Sequence, residues 1–204
     1  MLRTSFLVLV LMILSFPAAF AETPPPPQPT QDTQEAATPR PEPDLLSFGA
    51  GYEGFDKFDD AYSQGGEART RAADMRLEYR WGRSLASSRN DWVNIGIHPL
   101  AGVDVSMRGQ LYGFGGFGFD FVFWKHVVMT ESEAIGLFSA GNAKPLGSVI
   151  EFRSMMEVGW RFDDDIRMTA QASHISNAGI THRNPGEEIA GGYIHIPVRM
   201  LFGN

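Results

Sequence analysis

The sequence predicts an all-β fold, an eight-stranded antiparallel transmembrane β-barrel, on three observations. Beyond Asp44 hydrophobicity alternates with period two in about eight runs separated by turn residues. In the clearest runs one face is apolar and the other is small or ionic, with the large aromatics on the apolar side. The chain also opens with an export signal. An even number of strands is what a barrel closed by hairpins requires.

The runs span 45–54, 70–82, 92–105, 110–124, 126–137, 148–162, 166–176 and 190–202. In the second, Met75, Leu77, Tyr79 and Trp81 oppose Asp74, Arg76, Glu78 and Arg80. The fourth sets Phe117, Phe119, Phe121 and Phe123 against Gly116, Gly118 and Asp120. The sixth is the longest clean alternation: Ile150, Phe152, Ser154, Met156, Val158, Trp160 and Phe162 against Glu151, Arg153, Met155, Glu157, Gly159 and Arg161. The last sets Ile194, Ile196, Val198, Met200 and Phe202 against Tyr193, His195, Pro197, Arg199 and Leu201.

The composition of the faces tells inside from outside. A soluble eight-stranded barrel fills its interior with apolar side chains. Rows of Phe and Trp from every strand would overfill so narrow a space, whereas small residues and compact ion pairs fit it. The polar faces mix signs within a strand, and Arg outnumbers Lys by 14 to 3. That bias suits an interior network of guanidinium forks rather than a solvated surface. The pattern is therefore inverted, with the aromatics facing lipid.

Ahead of the barrel, Arg3 precedes an apolar run from Phe6 to Phe16, and Ala19-Phe20-Ala21 supplies a small-residue cleavage pattern. Residues 1–21 read as a signal peptide, 22–43 as a Pro-rich periplasmic linker, and 44–204 as the barrel. Eight of the 13 prolines fall in the linker while all 22 glycines lie from Gly49 onward, so the two parts obey different physics. The expected location is the outer membrane of a Gram-negative cell. A net charge of −7 without any Lys/Arg run argues against nucleic acid as a partner. The absence of cysteine removes disulfides, thiolate zinc sites and a cysteine nucleophile. His98, His126, His182 and His195 show no ligand spacing, so neither metal nor cofactor is expected.

Connections set the vertical orientation, because outer-membrane barrels have short periplasmic turns and longer outer loops. The Trp124-Lys125 and Asp163-Asp164-Asp165 links are short; those near 55–69, 138–147 and 177–189 are long. The seventh run then ends at the outer rim. The 83–91 connection is longer than a periplasmic turn should be.

That seventh run carries the chemistry. Ile166, Met168, Ala170 and Ala172 occupy its lipid face, and the same phase brings His174 and Ser176 there, where polar side chains are costly. Residues two apart on a strand lie roughly 6.5 to 7 Å apart on one side, so an imidazole can reach the hydroxyl. A bare His-x-Ser is common, and by spacing alone a pair of rim residues bonded to loop backbone or lipid headgroups is the favoured reading over catalysis. Glu188 faces His174 if the hairpin register sums to 362, provided Gly191-Gly192 does not bulge the strand.

The stretch His174-Ile175-Ser176-Asn177-Ala178-Gly179, followed by Asn184-Pro185-Gly186-Glu187-Glu188, resembles the signature of the lipid A 3-O-deacylase (PagL-type) family of outer-membrane acyl hydrolases. The resemblance extends to Pro145-Leu146-Gly147, Glu151-Phe152-Arg153 and Trp160-Arg161-Phe162, covering runs six to eight well and the first five by architecture. It implies that Ser176 is the nucleophile, His174 the general base and Glu188 the acid orienting the imidazole. It further implies that Asn184 stabilises the oxyanion beside Asn177, and that lipid A of lipopolysaccharide is the substrate. A homodimer is left open. The rival function is a non-catalytic structural or adhesion barrel displaying its loops, and the rim constellation separates the two.

Overall fold

The computed structural model describes residues 42–54 and 72–203. The expected signal peptide and all of the linker but Glu42 and Pro43 lie outside them. Nine strands follow in order: β1 Leu45–Glu53, β2 Ala73–Arg80, β3 Ala86–Arg89, β4 Val93–Ser106, β5 Leu111–Phe123, β6 Val127–Ser139, β7 Ile150–Arg161, β8 Arg167–Ser176 and β9 Glu187–Pro197. A five-residue helix, α1 Val198–Phe202, ends them. All pairings are antiparallel; β1 joins β9 and β2 joins β4, which closes eight strands into a barrel.

The ninth strand answers the long 83–91 connection. Ala86 to Arg89 pairs with Ile97 to Asn94, so β3 continues the place of β2 alongside the lower part of β4. All four of its residues are exposed, and no hydrophobic alternation marks it. The eighth run is corrected at both ends: the strand begins at Glu187, not at 190, and stops at Pro197, not at 202. Proline has no N–H to extend a ladder, and residues 198–202 coil into α1 instead.

The two faces lie as the alternation requires. Glu151, Arg153, Met155 and Glu157 are buried, while Ile150, Val158 and Trp160 are exposed. Inside, Arg80 ties three strands together through Glu78 at 2.8 Å, Glu157 at 2.9 Å and Asp120 at 3.4 Å. Arg167 meets Asp120 at 2.8 Å, and Arg153 meets Glu78 at 3.1 Å. His195 sits between Ser47 and Glu157. Such pairs tolerate burial where further hydrogen bonds reach the carboxylates, as Asp120 accepts from Thr130 and Glu157 from Thr169, each at 2.8 Å.

The lumen is not ionic throughout. Tyr112, Phe114, Phe138, Leu146, Ile175 and Ile189 form an apolar cluster at its outer end, and Leu146 comes from the β6–β7 loop folded over the mouth. The Arg153 guanidinium lies 3.8 Å from the Phe114 ring centroid, joining the two layers. The outer end of β8 therefore rests on a packed floor.

All four tryptophans stand at the opposite end: Trp81 after β2, Trp92 before β4, Trp124 in the β5–β6 turn and Trp160 near the end of β7. Each is well exposed, forming an interfacial aromatic girdle. The tightest turn sits at this same end: Trp124 and Lys125 both have positive φ, as a two-residue hairpin demands. Glu42 sits at this mouth, pairing with Arg161 at 3.0 Å and Arg167 at 3.1 Å, so the linker's last two residues belong to the folded unit.

Candidate active site

β8 alternates Arg167, Thr169, Gln171, Ser173 and Ile175 inward with Met168, Ala170, Ala172, His174 and Ser176 outward. Ile175, fully buried in the apolar cluster, fixes the strand between the two polar outer residues. Arg76 donates to the Ser173 hydroxyl at 3.0 Å and anchors the strand two residues earlier. Both contacts pin the backbone that carries His174 and Ser176.

The β8–β9 register sums to 362 throughout, from Arg167 opposite His195 to His174 opposite Glu188, and Gly191-Gly192 pairs without a bulge. Glu188 consequently meets His174 directly, with Nδ1 and Oε1 2.5 Å apart. About a third of each side chain is exposed, so the pair is open to whatever lies against the outer wall. Its neighbour Glu187 points into the lumen and is 4% exposed.

Two loops shape the rim. The side chain of Asn177, wholly buried, donates to the carbonyls of Leu146 and Arg183 and to Thr181, and accepts from the Gly179 N–H. It is a knot between loops, with no donor left for a ligand. Asn184 accepts the Asn177 backbone N–H at 3.1 Å through Oδ1. That contact fixes the amide orientation and leaves its Nδ2 as a donor beside the end of β8. Gly147 has positive φ, and a Cβ there would strike the Arg183 carbonyl, so the β6–β7 and β8–β9 loops pass too closely for any other residue.

Gly186 has no role in the sequence-based reading beyond its place in the motif. Its φ is +65°, and a Cβ built on it would lie 2.7 Å from His174 Cε1 and 3.4 Å from Nε2. The imidazole is thus held between Glu188 on one edge and the Gly186 backbone over the other. Lys144 of the β6–β7 loop donates to the Gly186 carbonyl at 2.6 Å and reaches Glu187 at 3.4 Å, which clamps this segment in place.

The model of the lipid A 3-O-deacylase (PagL) family matches residues 60–197, more than half of the chain and all of the site. The chain belongs to that family. Among curated proteins none matches it. Among solved structures it is similar to one titled "Crystal structure of the outer membrane enzyme PagL", with 21% identity and a TM-score of 0.59, covering 76% of this chain and 99% of that one. That likeness bears on the fold: the closed barrel is the PagL architecture. Membership brings the coarse activity, deacylation of lipid A by an outer-membrane hydrolase.

On the outer wall of this PagL-family barrel the pairings set the residues beside the site in rows. Ser176 pairs with Phe152, Phe152 with Ile135 and Ile135 with Gly115, so these four share one row. Where Gly113 and Gly115 leave the wall bare, a shallow hollow of about 340 Å³ opens, lined also by Ile135, Leu137 and Ile150. One step deeper runs a second row: Glu133, Ser154, His174 and Glu188. The Ser154 hydroxyl donates to Glu133 Oε2 at 2.8 Å. Glu133 and Ser154 escape the sequence-based reading, although Ser154 breaks the apolar face of the sixth run just as His174 breaks that of the seventh.

Proposed function

We propose that this protein removes the ester-linked 3-O-acyl chain of lipid A through a Ser176-His174-Glu188 triad. The observation that carries the reading is the 2.5 Å contact between His174 and Glu188 on the lipid-facing wall, two residues from a serine on the same face. An imidazole–carboxylate pair is costly there unless it has work to do. Lipid A brings its ester carbonyls to the headgroup boundary, where the end of β8 lies, so the substrate is met without being drawn out of the membrane.

Ser176 Oγ attacks the acyl carbonyl carbon as His174 Nε2 takes its proton. Glu188 accepts the Nδ1–H, which selects the tautomer and stabilises the imidazolium. The Nδ2 of Asn184 supplies a donor to the oxyanion, while Asn177 acts by holding the loops. Collapse breaks the bond to the sugar oxygen, which takes the proton from His174 and leaves as the free 3-hydroxyl. Water, deprotonated by His174, then attacks the acyl-enzyme; the fatty acid departs and Ser176 regains its proton. The acyl chain lies along Phe152 and Ile135 into the hollow at Gly113 and Gly115. Residues 1–21 serve export and 22–43 tether the barrel on the periplasmic side.

The test is release of fatty acid from lipid A in detergent micelles. Ser176→Ala and His174→Ala each abolish it while leaving a folded, heat-modifiable barrel. Triad members act as a unit, so the double variant is hardly worse than either single one. Substantial activity in Ser176→Ala removes the nucleophile assignment, and inactivity of the folded wild type favours the non-catalytic barrel.

A further inference from the structure

Ser154 and Glu133 are polar groups on the lipid-facing wall that the triad does not use. Ser154 is the register partner of His174, and it is the diagonal neighbour of Ser176, whose own partner is Phe152. Diagonal neighbours on one face have Cα atoms roughly 7 to 8 Å apart, within reach of a single bound molecule. Glu133 is the partner of Ser154 on the next strand and accepts the hydrogen bond from its hydroxyl. The pair lies one step deeper along the strands than Phe152 and Ile135, so it flanks the path of an acyl chain that leaves Ser176 along those two side chains.

Its chemistry is that of acceptors. With the Ser154 proton committed to Glu133 Oε2, the Ser154 oxygen offers lone pairs, and Glu133 offers a second oxygen. Hydrocarbon tails supply no donor to either, so the pair is costly in plain lipid. A substrate that brings a donor to this depth relieves that cost, and one without it leaves the acceptors unmet.

We propose that Ser154 and Glu133 form a specificity subsite that accepts a hydrogen bond from a donor carried within a few bonds of the scissile ester. Two groups of an acylated glucosamine share this chemistry: a hydroxyl near the carbonyl end of the ester-linked chain, and the N–H of an amide on the neighbouring sugar carbon. The subsite deepens the proposed reaction and rests on it for the position of the ester. Ser154 and Glu133 are positioning residues; neither touches the bonds that break.

The experiment compares synthetic acylated glucosamines of equal chain length in detergent micelles: ester chain with or without the hydroxyl, and position 2 amide-linked or ester-linked. The wild type favours one donor-bearing substrate over its donor-free counterpart by about tenfold in kcat/KM, the worth of one hydrogen bond. Ser154→Ala and Glu133→Leu abolish the preference and keep activity on the donor-free substrate. Glu133→Gln, which retains an acceptor, recovers part of the preference. The arm that loses its preference identifies the donor. An equal loss on every substrate, or a preference unchanged in Ser154→Ala and Glu133→Leu, overturns the subsite. The ratio is read within each variant, so it reports on this pair even if Ser176→Ala proves active and the triad falls.

Discussion

At the residue scale, the phase of one strand decides which of two adjacent carboxylates can orient the imidazole. Glu188 is on the outer wall against His174 and Glu187 is in the lumen. Loss of an orienting acid slows a triad less than loss of the nucleophile. Glu188→Ala therefore lowers the initial rate by about 10²- to 10⁴-fold, less than Ser176→Ala, whereas Glu187→Ala leaves most of it. A greater loss in Glu187→Ala would contradict the phase. Gly186→Ala is a second probe of the same geometry: its methyl would press on the imidazole, and a misplacement of about 1 Å costs on the order of 10²-fold. The expected result is a collapse of kcat in a barrel of unchanged heat-modifiability.

Those residues were legible for a physical reason. His174, Ser176 and Glu188 violate an otherwise apolar face, and the contact of His174 with Glu188 needed only a register, which closed at 362 because the glycine pair does not bulge. The loop contacts were not legible. Gly186 over His174, Lys144 on Gly186 and Asn177 at the centre of the rim depend on how two loops fold together, which no periodicity encodes. Glu131 and Glu133 share the outer face of β6 with Met129 and Ile135, so hydropathy leaves the phase of that run ambiguous.

At the element scale, strands buried on one side and lipid-bathed on the other write themselves plainly into the sequence. Each of the eight barrel strands lies within a few residues of its run. β3 went unseen because Ala86-Ser87-Ser88-Arg89 is exposed on every residue and is a strand only by pairing with β4. The end of β9 was overrun because five residues cannot distinguish a strand's alternation from a short helix, and Pro197 was the better signal. The facing makes a prediction for β7. A photoactivated hydrophobic probe in the bilayer labels Phe152 and Met156 and spares Arg153 and Glu157. Met156→Arg destabilises the barrel by about 2 to 4 kcal/mol near the midplane, measured by denaturant unfolding in lipid vesicles. Labelling of Arg153 and Glu157 in place of the other two would mean that the barrel does not face lipid as described.

At the scale of the whole molecule, the barrel is a scaffold whose two ends differ. One end carries the tryptophan girdle, the tightest turn and the ion pairs to Glu42. The other carries the knotted loops, the apolar floor and the site. Ionic and apolar layers pack the lumen between them, and the proposed site opens instead on the outside wall. The central claim is that this wall deacylates lipid A at the end of β8. Mass spectrometry of lipid A from cells producing the protein in their outer membrane tests it most directly. The wild type yields lipid A lighter by one ester-linked acyl chain and Ser176→Ala does not; unaltered lipid A around a folded wild-type barrel would contradict it.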